Sequence, residues 1–293
     1  MPANGKQERV EDQRIVLASG RTVGFADYGT PDATAVLWCH GGPGSRLDPA
    51  YLRRQASDAG LRIIGIDRPG YGLSTPQPGR TIAGWVPEAL AVADHLGIGQ
   101  FATVGTSTGG AYALALAALA PARVLGVVAC CSMTDMRWPQ GRATMSWPHV
   151  RAVWEAPGRA AALAAATDAH GEDGSKMRGE IAGVLPPSDL ELFGDPGWMK
   201  QATAGFPAMF AHGLQGYTDD RLADGGGWVT FDVRSIQCPV TVLHGGSDRM
   251  VNVIHAHHTA GLVPGANLVI FDDDGHFSIV TEVVPAISNL LQR

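Results

Sequence analysis

The sequence has few charged residues and few cysteines, and it lacks any long cluster of lysine and arginine. Charged residues make up 17% of the 293 residues, and the formal net charge is −6 at pH 7. A protein that binds nucleic acid or an anionic membrane through phosphate groups typically carries a basic patch. The composition therefore predicts that neither nucleic acid nor a membrane is a partner of this chain.

No stretch of the sequence has the form of a membrane span or a signal peptide. The longest apolar region, residues 111–131, is interrupted by Pro121 and Arg123, and we expect a helix followed by a strand there. Residues 1–14 are polar and lack the apolar core of a secretory signal. The four cysteines have no zinc-type spacing and are expected to be core residues. These features predict a cytoplasmic protein.

Apolar residues are abundant, at 45% of the chain, and they form short runs that alternate with helix-length segments. The predicted strands are Arg14–Ser19, Thr22–Tyr28, Ala35–Cys39, Leu61–Ile66, Phe101–Val104, Val124–Cys130, Val240–Leu243 and Leu268–Phe271. The predicted helices are Pro49–Ala59, Ile82–Leu96, Gly109–Leu119, Ile254–Leu262 and Val283–Leu291. Runs that are apolar almost throughout are typical of strands buried on both faces. The alternation predicts an α/β fold, with a mostly parallel eight-stranded sheet flanked by helices.

The alternation is interrupted once, between residues 133 and 234. This segment contains five of the seven Trp and six of the eight Met, and it is rich in Ala, Gly and Pro. An insertion after a strand of an open α/β sheet lies above the carboxyl ends of the strands, where such folds bind ligands. We therefore predict a helical cap at 133–234, inserted after the sixth strand, and a core formed by 1–132 and 235–293.

The motif Gly-Thr-Ser-Thr-Gly at 105–109 follows a predicted strand and begins a predicted helix. This is the strand–turn–helix setting in which a G-x-S-x-G sequence holds a serine nucleophile. The turn is so tight that side chains at its glycines would collide with neighbouring backbone. The helix that follows directs its N-terminal N–H groups towards any anion formed at the serine. The motif predicts Ser107 as the nucleophile.

A serine hydroxyl needs a base to remove its proton, and the imidazole of that base needs an acid to orient it. His276 lies in the loop after the last predicted strand, at the sheet edge where Ser107 is expected. Asp248 follows the predicted strand Val240–Leu243, which gives the chain order Ser, Asp, His. Asp135 follows the sixth strand and is the alternative acid. The predicted triad is Ser107, Asp248 and His276.

Other histidines are placed less well for this role. Three lie on a predicted helix with polar neighbours and are expected to be solvated: His255, His257 and His258.

The sequence His-Gly-Gly-Pro-Gly at 40–44 follows the third predicted strand. A glycine-rich loop at this point leaves backbone N–H groups free to donate to a developing oxyanion. We assign these donors to Gly42 and to Thr108, the residue after the nucleophile. His40 is expected to brace the loop through hydrogen bonds.

Through these motifs the chain resembles the α/β-hydrolase superfamily over residues 19–291. The matching segments are HGGPG at 40–44, DRPGYGLS at 67–74, GTSTG at 105–109, HGGSD at 244–248 and DGH at 274–276. The resemblance is to the branch with a helical cap between the sixth and seventh core strands. That branch includes esterases, lactonases, carbon–carbon bond hydrolases, proline iminopeptidases and cofactor-free haloperoxidases, so the fold alone does not assign the reaction.

Two departures from the patterns of related families narrow the range of reactions expected of this chain. Haloalkane dehalogenases and epoxide hydrolases use an aspartate nucleophile, whereas this chain has Ser107. Proline iminopeptidases share the HGGPG loop but usually have Trp after the serine, where this chain has Thr108. They also hold the substrate amine with cap carboxylates, for which the available residues are Glu155, Glu172, Glu180 and Glu191.

These observations predict a carboxylic-ester hydrolase that acts on a small, largely apolar ester or lactone. The second substrate is water, and the mechanism requires no metal or organic cofactor. An iminopeptidase or a carbon–carbon bond hydrolase using the same triad is one alternative. A ligand receptor that keeps the triad but turns over slowly is the other.

Overall fold

The computed structural model describes residues 10–145, 147–177, 181 and 183–292, and a sheet of eight strands forms its centre. The strands are β1 (Gln13–Val16), β2 (Thr22–Tyr28), β3 (Thr34–Cys39), β4 (Leu61–Ile66), β5 (Phe101–Thr106), β6 (Val124–Cys130), β8 (Val240–Gly245) and β9 (Asn267–Phe271). Their order is β1-β2-β4-β3-β5-β6-β8-β9. The two pairs β1–β2 and β2–β4 are antiparallel, and every later pair is parallel. The predicted fold class is therefore confirmed.

Within the described residues the α-helices are, in chain order, α1 (Arg53–Asp58), α2 (Val86–His95), α3 (Gly109–Leu119), α4 (Pro139–Thr144), α5 (Pro148–Trp154), α6 (Arg159–His170), α7 (Pro187–Gly194), α8 (Pro196–Met209), α9 (Gln215–Gly225), α10 (Ile254–Leu262) and α11 (Val283–Leu291). Helices α2, α3 and α10 pack on one face of the sheet, and α1 and α11 pack on the other. Strands β4, β5 and β8 are buried at every residue, as their continuous apolar sequences predicted.

Most predicted bounds agree with the structure to within one or two residues, and the exceptions have local causes. β1 ends at Val16 rather than Ser19 because the chain turns there, with the Gly20 N–H donating to the Leu17 carbonyl at 2.8 Å. The predicted helices at 49–59 and 82–96 begin as 3₁₀ turns, at Asp48–Leu52 and Ala83–Trp85. Short 3₁₀ turns are common at the ends of α-helices.

Residues 133–234, here called the inserted segment, contain helices α4 to α9 between β6 and β8. They also contain a four-residue strand, β7 (Ala211–Leu214), which was not predicted and does not belong to the eight-stranded sheet. Helix α8 contacts the 3₁₀ turn after β3, and α7 contacts the turn after β9. The inserted segment therefore lies against loops at the carboxyl ends of the strands. Its description as a separate cap domain with these boundaries stays a prediction, and residues 1–9 lie outside the described residues.

None of the described helices combines the length and the apolar composition needed to cross a bilayer.

Candidate active site

Ser107 lies on a tight turn between β5 and α3 and has a positive φ of 52°. Such a conformation is unusual for a residue other than glycine and persists only where the surroundings enforce it. The surroundings here are tightly packed backbone. A Cβ atom on Gly105 would lie 2.2 Å from the carbonyl oxygen of Gly109, and one on Gly109 would lie 2.0 Å from that of Cys39. The glycines of the motif are therefore required by packing, as the sequence predicted.

Asp248, in the loop that follows β8, and His276, in the loop that follows β9, are in direct contact. The Nδ1 atom of His276 lies 2.8 Å from Oδ2 of Asp248, and both residues are only 6% exposed. The other carboxylate oxygen accepts the backbone N–H groups of Met250 at 2.8 Å and Val251 at 2.9 Å, which fixes the orientation of Asp248. With Nδ1 donating to the carboxylate, Nε2 of His276 is the nitrogen left to accept a proton.

The charges of this pair stabilise each other. Burial favours the neutral form of Asp248, but His276 and His244 together outweigh it and lower the pKa of this carboxyl well below its usual range. Burial likewise opposes a charged His276, yet the neighbouring Asp248 carboxylate raises the pKa of the imidazole above its usual value. An imidazole made more basic in this way is better able to accept the proton of a serine hydroxyl.

Asp135, the alternative acid, is directed elsewhere. Its carboxylate accepts from the Arg137 side chain at 2.9 Å and from the backbone N–H groups of Arg137 at 3.0 Å and Trp228 at 3.2 Å. Burial is outweighed by these donors, and the pKa of Asp135 is lowered. The structure therefore brings His276 together with Asp248, while Asp135 stabilises the start and the end of the inserted segment.

Gly42 and Thr108, the assigned oxyanion donors, lie side by side near the nucleophile. A Cβ atom on Gly42 would lie 2.7 Å from Oγ1 of Thr108, and one on Gly41 would lie 3.8 Å from Cβ of Ser107. Within the part of the chain that the structure describes, neither the Gly42 nor the Thr108 N–H donates to a protein acceptor. Both N–H groups are thus available to an oxyanion.

His40 braces the loop that carries Gly42. Its Nδ1 lies 2.7 Å from the Gly41 carbonyl oxygen, and its Nε2 accepts the Arg68 N–H at 3.1 Å. Burial and the Arg68 charge hold the pKa of His40 well below its usual value, so the ring is neutral. This is the structural role expected from the sequence.

Arg68 links the same loop to the inserted segment, a connection that sequence reasoning missed. Its guanidinium donates to the carbonyl oxygens of His40 and Gly41, and it also pairs with Asp220 on α9 at 2.7 Å. The donors to this fully buried carboxylate, at 2.6–3.1 Å, are Arg68, Tyr71, Arg80 and Tyr112. The DRPGYGLS segment at 67–74 contains two of them and was the available signal.

Asp189, on α7, makes a second link that was not predicted. Its buried carboxylate accepts three consecutive backbone N–H groups, from His276 at 3.0 Å, Phe277 at 3.1 Å and Ser278 at 2.8 Å. The inserted segment therefore holds the backbone of the proposed base. Nothing in the sequence around Asp189 distinguishes it from an ordinary acidic residue in the first turn of a helix.

The helix histidines differ in part from expectation. The prediction that His255 is solvated is wrong: it is 0% exposed, and its ring nitrogens lie 3.2 Å from the Thr134 nitrogen and 2.9 Å from Oγ1 of Thr144. It therefore anchors the start of the inserted segment. Among the described residues no group of three or more His, Cys, Asp or Glu is arranged to hold a metal ion.

Two cavities meet at Ser107 and His276. The larger has a volume of about 430 Å³, and aromatic side chains contribute much of its lining: Trp38, Tyr51, Phe193, Trp198, Phe206 and Phe277. The smaller, of about 80 Å³, is lined by methionines and by Trp147, His149, Tyr217 and Arg221. A substrate whose carbonyl carbon lies at Ser107 could place one part in each cavity.

This combination of fold and site was compared with known proteins. The family model described as alpha/beta hydrolase fold matches residues 34–283. The chain belongs to the α/β-hydrolase fold family. The resemblance inferred from the sequence motifs is thereby confirmed.

Glu180, one of the cap carboxylates considered above, lies outside the described residues.

Individual α/β-hydrolases match over almost the whole chain. The 2-hydroxymuconate semialdehyde hydrolase of Pseudomonas putida is 30% identical over 281 residues, which cover 94% of this chain and 91% of that protein. The enol-lactonase from Burkholderia xenovorans LB400 has a TM-score of 0.73 at 16% identity, covering 96% of this chain and 100% of the other. An esterase from Exiguobacterium antarcticum has a TM-score of 0.73 at 19% identity, with the same coverage. The two solved structures show a shared fold, and the first relative shows that the chain is similar to a hydrolase.

Proposed function

We propose that this α/β-hydrolase is a serine hydrolase that cleaves the carboxylic ester or lactone bond of a small, largely apolar substrate. The observation that carries the proposal is the His276–Asp248 pair at 2.8 Å, whose imidazole lines the same two cavities as Ser107. A buried imidazole oriented by a carboxylate is the arrangement that activates a serine hydroxyl. The aromatic lining of the larger cavity supports an apolar substrate.

The proposed reaction proceeds through an acyl-enzyme. Nε2 of His276 takes the Ser107 proton as Oγ attacks the carbonyl carbon, and the N–H groups of Gly42 and Thr108 bind the resulting oxyanion. The imidazolium, stabilised by Asp248, then protonates the leaving alcohol as the C–O bond breaks. His276 then takes a proton from water as the water oxygen attacks the acyl carbon. The acyl C–Oγ bond breaks, the imidazolium returns the proton to Oγ of Ser107, and the acid is released.

The experiment is turnover of a panel of aryl esters, lactones and arylamides by the wild type and by Ser107→Ala. Turnover of the preferred ester should fall by about 10³-fold or more in Ser107→Ala, because the rest of a triad gives little catalysis without its nucleophile. Ser132→Ala is the matched control, since Ser132 is a buried serine near the same sheet edge whose hydroxyl donates to the Cys130 carbonyl at 3.3 Å. Ester turnover that survives in Ser107→Ala would refute the proposal.

A carbon–carbon bond hydrolase is the second candidate, and one observation favours it. The relative that is 30% identical over 281 residues is a 2-hydroxymuconate semialdehyde hydrolase. Its named substrate and an aryl ester, assayed side by side with product analysis, separate the two candidates. A kcat/KM that is higher for the semialdehyde than for every ester would favour the second candidate. Labelling of Ser107 without sustained product release would favour the receptor alternative.

A further inference from the structure

The smaller cavity beside Ser107 contains a buried arginine that the proposed mechanism does not use. Arg221, on α9, is 3% exposed and lines this cavity together with Ser107 and His276. A Cβ atom on Gly42 would lie 3.0 Å from Nη2 of Arg221, so the guanidinium is adjacent to the oxyanion loop. A buried cation so close to a nucleophile is a candidate for contact with substrate.

The hydrogen-bonding groups of Arg221 are only partly used. Nη2 donates to Oγ1 of Thr108 and forms an ion pair with Asp224 at 2.6 Å. Among the described residues, Nη1 has only the sulfur of Met133, at 3.9 Å, and Nε has no hydrogen-bond partner. A guanidinium has five N–H donors, and leaving several unpaired in a buried site is unfavourable. An acceptor supplied by a ligand would satisfy them.

The charges that line the smaller cavity favour an anionic ligand over a neutral one. Among the described residues of its lining, Arg221 is the arginine and none is a carboxylate. Asp224, the ion-pair partner of Arg221, does not belong to this lining. Burial, with smaller effects from His170 and Arg221, lowers the pKa of His149 to about 4, so this lining residue is neutral at pH 7. An anion in the cavity would therefore meet the Arg221 cation and no carboxylate of the described lining.

We infer that the smaller cavity is a subsite for a carboxylate group of the substrate, bound by Arg221. The inference rests on the proposed function, because it places the scissile carbonyl at Ser107 and the apolar remainder of the substrate in the larger cavity. A volume of about 80 Å³ holds a carboxylate on a short methylene chain. Guanidinium and carboxylate also match in geometry, since two parallel N–H donors face two oxygens. The substrate class is thus a half-ester of a short dicarboxylic acid.

A pair of non-cleavable aryl ketones tests the subsite by binding alone. 3-Benzoylpropionate carries a carboxylate at the end of a short chain, and butyrophenone has the same carbon skeleton without the charge. By calorimetry, the wild type should bind the carboxylate ketone about 10- to 100-fold more tightly, the range expected of charge-assisted hydrogen bonds. In Arg221→Met this ratio should fall to about one. Equal affinity of the wild type for both ketones would overturn the inference.

Two further variants serve as controls for the assignment of the carboxylate contact to Arg221. The double variant Arg221→Met with Asp224→Asn removes both members of the ion pair, so that no unpaired carboxylate destabilises the fold. Its affinity ratio should also be about one. Arg159→Met is the matched control, since Arg159 is partly exposed, pairs with Asp219 at 2.7 Å and lines neither cavity. It should keep the wild-type ratio. A ratio that persists in both Arg221 variants would show that another group recognises the carboxylate.

Turnover of an aryl hemisuccinate and of the matching aryl butyrate gives a second readout. The ratio of their kcat/KM values should favour the hemisuccinate in the wild type and decrease in the Arg221 variants. If both esters lose activity equally, Arg221 acts through Thr108 on the oxyanion loop, and the subsite is wrong. If the wild type cleaves neither ester, the proposed function fails, while the ketone affinities still decide the subsite.

Discussion

The carboxylate of Asp220 is expected to be the most important single charge for the stability of this protein. It is 0% exposed and pairs with two arginines that are themselves buried, Arg68 at 2.7 Å and Arg80 at 2.6 Å. Asp220→Asn keeps the size of the side chain but removes its charge. Among the described residues, Arg68 then has no counter-ion, and Arg80 keeps the more distant Asp219 at 3.9 Å. Removing one partner of a buried ion pair costs about 3–5 kcal/mol, a large part of a typical stability of about 5–15 kcal/mol.

The assay is thermal unfolding of the wild type, Asp220→Asn and the control Asp219→Asn. A loss of this size should lower the Tm of Asp220→Asn by about 5 to 15 °C. Asp219 is its neighbour on α9 and is also buried, but its partner Arg159 is 29% exposed and can turn to water, and its other partner, Arg80, is 3.9 Å away. Asp219→Asn should therefore lose less stability than Asp220→Asn. A Tm for Asp220→Asn within about 2 °C of the wild type, or equal to that of Asp219→Asn, would refute the reasoning.

The pH dependence of the same measurement provides an independent check. Burial opposes ionisation of Asp220, but Arg68 and Arg80 outweigh it and lower the pKa of the carboxyl far below its usual value. A group with a lowered folded-state pKa contributes stability that is present above its unfolded value of about 3.9 and is lost as the pH falls below it. The Tm difference between the wild type and Asp220→Asn should therefore shrink between pH 7 and pH 3. A difference that is constant over this range would contradict the assigned cause.

Two further predictions concern the proposed base. Asp248→Asn should lower kcat by about 10⁴-fold and move the acidic limb of the kcat/KM profile to lower pH, because the carboxylate that raises the pKa of His276 is lost. Asp135→Asn should change neither kcat nor the pH profile. A larger loss of kcat in Asp135→Asn than in Asp248→Asn would reverse the assignment of the acid. Asp189→Ala should lower kcat by up to about 10²-fold, because His276 would be misplaced. Asp232→Ala, which removes the exposed N-cap of a 3₁₀ turn, should leave kcat unchanged. Equal kcat values in the two variants would exclude a positioning role for Asp189.

The sheet and the local motif around Ser107 were predictable because both depend on short-range sequence. Strands such as Leu61–Ile66 are apolar at almost every position, and that pattern is typical of strands buried on both faces. The glycine at 105 is required by the backbone of Gly109, four positions further along the chain. Helix α3 begins at Gly109 and ends at Leu119, as predicted.

The buried polar contacts were not predictable because they join residues far apart in the chain. Arg68 and Asp220 are separated by 152 positions, and Asp189 and His276 by 87. No periodicity or spacing links such pairs, and each member taken alone resembles an ordinary surface charge. The prediction that His255 is solvated was wrong for the same reason, since its polar neighbours in sequence are not its neighbours in space. The prediction was reliable where the relevant contact was local.

The carboxylates of Asp189 and Asp220 have a consequence for how the substrate range of this enzyme can change. Both are carried by the inserted segment, yet one holds the backbone at His276 and the other holds Arg68 against the Gly41 carbonyl. Exchanging the whole segment for that of another hydrolase would remove these two anchors together with the pocket walls. New specificity is therefore accessible through single replacements among the lining residues, and a chimaera would need both aspartates restored before its chemistry could recover.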